Sequence, residues 1–222
     1  MSDNIITLYH GTSEPDFIPR FRGGRDYHDY GNGFYTTRDI EAAKEWACQG
    51  QSDTAYVYAY EFNTDKLSIL DLDGGNTLAW VSVLMTHRRG KKIRGAALER
   101  CNQMIELFGV DVSAYDVIRG FRANDSYFQF TTDFVTDTIT LETLMKSIVT
   151  GDLGKQVCVK SETAYRRLGR HIDVLSISGA DYERYHRRYI SKDSAARTLA
   201  SEYTNEPQTG QLLSDILKGG AQ

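Results

Sequence analysis

Cysteine is scarce in this chain: Cys48, Cys101 and Cys158 are the three among 222 residues, far apart and odd in number. That usage argues against a disulfide scaffold and offers no paired ligands, so no metal is expected, and a reducing compartment fits best. Apolar runs long enough to span a bilayer are missing. The amino terminus passes from Met-Ser-Asp-Asn straight into a strand-like run, without a basic region ahead of an apolar one, which predicts a cytoplasmic protein with no membrane partner. Export by a route without a cleaved signal stays open. Positive charge is not in excess either. A formal net charge of -4 gives no global attraction for nucleic acid, so any such binding needs a local patch. Repeats and low-complexity blocks are absent as well.

What is present suffices for one core. With 41% hydrophobic and 11% aromatic residues, the chain reads as a single domain over 1–190 followed by a polar, helical or partly disordered tail over 191–222. Ile5 to His10 is a β-branched, apolar run stopped by Gly11, which places His10 at the end of a strand. Residues 13–32, with Pro15, Pro19, Gly23, Gly24 and Gly31 among arginines and aspartates, read as a functional loop. Phe34 to Thr37 is a short strand, and Asp39 caps a helix to about Gln49, one face of which carries Ile40, Ala43 and Ala47.

The segment from Ala55 to Phe62 alternates most strongly, with Leu67 to Leu72 as its expected partner strand. Helices are expected over 76–86 and 96–107. Strands are expected over 115–118, 156–160 and 174–178, and Tyr127 to Phe130 reads as a strand or buried turn. Thr140 caps a further helix to Thr150, and Glu162 to Leu168 forms a short one. Strands and helices mix without βαβ regularity, so the expected class is α+β with a mainly antiparallel sheet.

Three segments, in order, then carry a resemblance: Leu8-Tyr9-His10-Gly11-Thr12; Gly31-Asn32-Gly33-Phe34-Tyr35-Thr36-Thr37 with Ala42, Ala43 and Trp46; and Gln156-Val157-Cys158-Val159-Lys160-Ser161. Together they resemble the nicotinamide-binding signature of the diphtheria-toxin-like ADP-ribosyltransferases, in particular small bacterial members. The resemblance spans residues 5 to about 178. It implies a fold of two packed, mainly antiparallel sheets with flanking helices. It also implies a mono-ADP-ribosyltransferase that uses NAD as substrate and modifies a macromolecular acceptor, protein or nucleic acid.

Cleaving the nicotinamide–ribose bond produces an oxocarbenium-like sugar, so such a site needs stacking surfaces, backbone groups for the carboxamide and a polar group at the ribose hydroxyls. By resemblance, His10, Tyr35 and Gln156 are the catalytic set: His10 holds a hydroxyl, Tyr35 stacks on nicotinamide and Gln156 meets the ribose 2′-hydroxyl. Gly11, Thr12, Arg22, Arg25, Gly33, Phe34 and Trp46 form the NAD-binding set. Gly11 offers its backbone to the carboxamide, Trp46 takes the second face of the ring, and Arg22 or Arg25 takes the diphosphate.

Two departures bear on activity. Gln156 is neutral where many members carry a glutamate, and Ala43 stands where several carry a serine. Transfer by a bacterial toxin or effector, with a cognate antitoxin as a further partner, is therefore weighed against an NAD glycohydrolase and a non-catalytic module for NAD or ADP-ribose. The basic run from His87 to Arg94 and the arginine–aromatic run from Tyr182 to Tyr189 are expected to be a solvated helix end and surface, with nucleic-acid binding as the alternative.

Overall fold

The computed structural model describes residues 4–88, 93–152, 154–205 and 209–219. Two sheets carry the fold. In one, β1 (Ile5–Thr12), β3 (Thr54–Asn63) and β7 (Asp173–Ser178) run antiparallel in the order β1-β3-β7. In the other, β2 (Phe34–Thr36), β6 (Lys155–Val159), β5 (Val117–Phe121) and β4 (Ile69–Asp71) lie in the order β2-β6-β5-β4, with only the β4–β5 pair parallel. The expected α+β class with mainly antiparallel sheets is what the chain adopts.

Alternation along the strands explains the layers. On β3, Tyr58, Tyr60 and Phe62 face the inter-sheet core with Leu8, Phe34, Val117, Val157 and Val159, whereas Ala55 and Val57 face outward. The small outward residues let α1 (Ile40–Ala47) and α7 (Gly179–Asn205) cover that side, where Ala43, Ala47, Tyr182 and Tyr185 fill a second cluster. On the other sheet, Ile118 and Cys158 point the opposite way from Val117 and Val159. They enter the largest cluster, built with α2 (Thr77–Arg88), α3 (Ala96–Phe108), α4 (Asp125–Val135), α5 (Leu141–Gly151) and α8 (Leu213–Gly219).

Helix starts follow local chemistry. Asp39, Thr140 and Ser161 accept from the backbone N–H of Glu41, Thr143 and Ala164, the last opening α6 (Glu162–Arg166).

Several expectations are corrected. β4 pairs with β5 rather than with β3, whose two edges are taken by β1 and β7. Tyr127 to Phe130 is helical: Asn124 caps α4, and Tyr127, Phe130 and Phe134 recur at helical spacing on its buried side. Ile40 is exposed, so the inner face of α1 is Ala43 and Ala47 without it. The boundary expected at 190 falls inside α7, and Ala196, Tyr203, Leu213 and Leu217 belong to the largest core cluster, so the described part of 191–219 is packed against the body rather than a tail. Among the described residues, no helix is long and apolar enough to cross a membrane.

The sheets meet at one seam. Tyr9 and Thr37 exchange backbone hydrogen bonds of 2.7 and 2.9 Å, joining β1 to the end of β2, and beyond this bridge the two strands diverge. Helix α1 presses against β1 at Gly11, where a Cβ would overlap the Ala43 carbonyl oxygen and come within 2.8 Å of the Ala47 nitrogen. Both atoms belong to the helix backbone and cannot rotate away. Gly11→Ala is therefore expected to destabilise the fold by about 2 kcal/mol or more, within the range for overpacking. Thermal unfolding checks this, and an unchanged midpoint would mean that α1 does not sit against β1 as described.

Candidate functional site

Where β1 and β2 diverge, a cleft opens with two adjoining lobes of about 750 and 730 Å³. His10, Gly11, His28, Tyr35, Trp46 and Gln49 line both lobes. The loop over 13–33 forms one wall and is tied down at several points. Lys160 Nζ donates to the carbonyls of Tyr30 and Asn32 at 2.7 and 3.0 Å, and Asn32 Nδ2 donates to the Gly24 carbonyl at 2.8 Å. Tyr58 Oη accepts from the Phe17 N–H at 3.0 Å.

His10 is held by three neighbours. Its Nδ1 lies 2.8 Å from the Tyr35 carbonyl, and its ring stacks on Phe17 at 4.5 Å and packs against Phe34 at 4.8 Å. Burial pushes the imidazole down to about 4, against the opposing pull of the carbonyl. The ring is thus neutral at pH 7. Because a carbonyl only accepts, Nδ1 carries the proton and Nε2 is an acceptor.

Tyr35 gives its hydroxyl to the loop. It donates to the Gly31 carbonyl at 2.7 Å and accepts from the Tyr30 N–H at 2.8 Å, so its ring, not its oxygen, is what the cleft receives. Burial holds this phenol well above its ordinary range. Tyr30 lies parallel to the ring at 6.3 Å, and His28 meets it edge-on at 5.3 Å.

Trp46 lines the same cleft from α1 with the Arg122 guanidinium over its ring at 4.8 Å, and Tyr189 of α7 lies 5.6 Å from the same guanidinium. A planar ligand therefore meets the free face of Trp46 or displaces Arg122.

Gln156 opens into the floor. It is buried, and its Nε2 donates to Asp29 Oδ2 at 2.8 Å and to the Phe121 carbonyl at 3.3 Å. Asp29 also accepts from the Ala123 N–H at 2.9 Å and from Arg88 Nη1 at 2.7 Å, and Arg88 Nη2 reaches Asp125 at 2.7 Å.

Nine of the ten expected site residues line the cleft. Thr12, Gly33 and Phe34 lie in one lobe, and Arg25 and Gln156 in the other. Phe34 is buried and supports His10, Gly33 has Cys158 Sγ where a Cβ would go, and Thr12 Oγ1 accepts from the Glu14 N–H. Arg22 is the exception. It adopts a positive φ of 56° and lines a separate cavity of about 810 Å³ with Lys160 and His87.

Sequence reasoning missed Asp29, Arg88 and Arg122. Arg88 was assigned to a solvated basic run, yet its side chain is 15% exposed and turns into the cleft floor. Arg89, Gly90, Lys91 and Lys92 of that run lie outside the described residues. The second run is a packing surface in large part. Tyr182 and Tyr185 are buried, Arg184 pairs with Asp181, and Arg188 pairs with Glu41 and Glu45.

Among the described residues, no three His, Cys, Asp or Glu side chains cluster as metal ligands would. All three cysteines are buried, and burial lifts the Cys158 thiol to about 12 and the Cys48 thiol to about 11, which suits packing rather than nucleophilic chemistry.

The sequence profile of DUF3990, described as "Protein of unknown function (DUF3990)", matches residues 6–169. The chain belongs to this family. No curated protein and no solved structure matches it. In this DUF3990 member, every residue discussed above as lining the cleft falls within the matched segment, and Tyr189, which flanks Arg122, falls after it.

The half-buried, neutral His10 sets a pH dependence. Its folded value near 4 lies below the ordinary imidazole value of 6.5, so the unfolded chain takes up a proton that the folded ring refuses. Stability from this group is complete above about 6.5 and is lost as pH falls towards 4, a loss on the order of 3 kcal/mol. His10→Asn should flatten that part of the melting temperature against pH. Parallel curves for variant and parent would show that the ring titrates normally.

Proposed function

We propose that this chain is a mono-ADP-ribosyltransferase of the diphtheria-toxin-like type and fold. It takes NAD into the cleft, breaks the bond between nicotinamide and the ribose C1′, and passes ADP-ribose to a protein or nucleic acid. The bonding electron pair leaves with nicotinamide, and the acceptor nucleophile gives up its proton as it bonds to C1′. The observation that carries this reading is convergence: His10, Gly11, Tyr35, Trp46 and Gln156, drawn from three separate segments, line one lobe of the cleft.

The chemistry of that lobe suits the substrate. Arg25, Arg88 and Arg122 outnumber Asp29 and Asp125 there, which favours an anionic diphosphate. Neutral His10 offers Nε2 as an acceptor for a ribose or adenosine hydroxyl, an anchoring role that needs no proton transfer. The Tyr35 ring supplies a stacking face worth on the order of 1 kcal/mol beyond its buried area. Gln156 meets the ribose hydroxyls, where interactions that strengthen as positive charge develops lower the barrier. Three scattered, buried cysteines fit operation in a reducing cytoplasm. An enzyme that modifies macromolecules there acts as a toxin or effector and calls for a neutralising partner in the cell that makes it.

NAD labelled in the nicotinamide ring provides the test. Parent protein should release labelled nicotinamide, and Gln156→Ala should lower kcat by about 10²-fold while NAD affinity changes by only a few-fold, since the lost interaction belongs to the transition state. With NAD labelled in the adenylate and cell lysate added, label should appear on protein or RNA. Label appearing only as free ADP-ribose would make water the acceptor and the protein an NAD glycohydrolase. NAD binding without nicotinamide release would make it a binding module, and neither binding nor release would remove NAD from the reading.

A further inference from the structure

Asp29 is the most enclosed carboxylate of the cleft, and sequence motifs gave it no role. It is 7% exposed and meets donors from three elements: Gln156 Nε2 on β6, Arg88 Nη1 at the end of α2 and the Ala123 N–H ahead of α4. Burying a carboxylate is costly unless such partners satisfy it, so its placement beside Gln156 is tightly specified.

The contact decides the orientation of Gln156. Both acceptors around Nε2, the Asp29 carboxylate and the Phe121 carbonyl, can only accept, so the NH₂ end of the amide faces them. Oε1 is then the end left to receive a hydrogen bond from a hydroxyl. The Arg88 guanidinium is divided between Asp29 and the exposed Asp125, each at 2.7 Å.

We propose that Asp29 is a positioning residue acting through Gln156. Resting on the NAD-cleavage reading above, it fixes Oε1 toward the ribose hydroxyls and sets a negative charge one hydrogen bond behind the amide. A neutral glutamine alone offers the developing cation only a dipole. Backed by Asp29, the same amide is polarised, and the pair together supplies what a single carboxylate would. No proton changes hands in this arrangement.

Asp29→Asn and the exchanged double variant Asp29→Asn/Gln156→Glu test it. The double variant keeps one amide and one carboxylate in contact with their positions reversed, so it retains the charge count of the parent and stays informative if Asp29→Asn alone fails to fold. Circular dichroism and thermal unfolding establish folding, NAD binding gives Kd, and nicotinamide release gives kcat. Asp29→Asn should lose about 10²-fold in kcat with Kd within about threefold, because the lost effect belongs to the transition state. The double variant should return to within about tenfold of the parent, since a carboxylate again backs the ribose.

A folded Asp29→Asn with parental kcat, or a folded double variant no more active than Asp29→Asn, would overturn the role of Asp29 while leaving NAD cleavage standing. Parent protein that releases no nicotinamide would instead overturn the NAD reading and this inference with it. That result is recognised from the parent alone.

Discussion

The cleft depends on a single buried carboxylate. Asp29 ties the loop over 13–33 to β6 through Gln156, to α2 through Arg88 and to the start of α4 through the Ala123 N–H, so segments far apart in the chain are fixed to one pair of oxygens. Breaking one partner of such a buried pair typically costs about 3–5 kcal/mol, because the remaining charge is left uncompensated. A loop of this length with two prolines and several glycines has little regular structure of its own to hold it. Its shape comes instead from side chains that reach in from the sheets, with Lys160, Tyr35 and Tyr58 each bonding to its backbone.

Close approach does the rest. Gly11 lets the α1 backbone touch β1, and the same helix carries Trp46 to the cleft that Tyr35 also lines. At the neighbouring strand, Gly33 lets the loop settle onto Cys158, and Gly120 makes room for the hydroxyl of Tyr30, which donates to the Phe121 carbonyl at 2.7 Å and accepts from Trp80 at 3.2 Å. These glycines stand where two backbones, or a backbone and a fixed side chain, must come within van der Waals contact. A methyl group at any of them displaces a neighbour that has nowhere to go.

Much of the scaffold was legible because its causes are local. The alternation from Ala55 to Phe62 announces a strand, and Asp39 and Thr140 announce helix starts through their side-chain oxygens. Tyr127 to Phe130 was misread because three aromatic residues within a stretch of four fit either period; only the wider spacing to Phe134 and the Asn124 cap decide for a helix. The pairing of β4 with β5 was invisible since it depends on which edge of β3 is already occupied. At the site, the residues with distinctive local motifs, His10, Tyr35 and Gln156, are those the cleft brings together. Asp29 and Arg88 carry no such mark: an acid in a loop and an arginine in a basic run are solvated by default, and only burial gives them a different meaning.

The segment after the family match contributes to the site without entering it. Arg188 and Lys192 of α7 both pair with Glu45, a nearly buried acid on α1, at 2.9 and 3.0 Å, while Tyr182 and Tyr185 pack beneath. This anchors the helix that presents Trp46. Tyr189, on the same stretch of α7, meets the Arg122 guanidinium that also lies over Trp46, so the arginine contacts two aromatic rings at the cleft wall. The aromatic–arginine pattern between 182 and 189 thus has a structural cause in the contact with α1 and a functional consequence at Arg122. A DUF3990 chain ending at the boundary of the match would keep the motifs that line the cleft while losing the packing that sets the wall of Trp46 and Arg122.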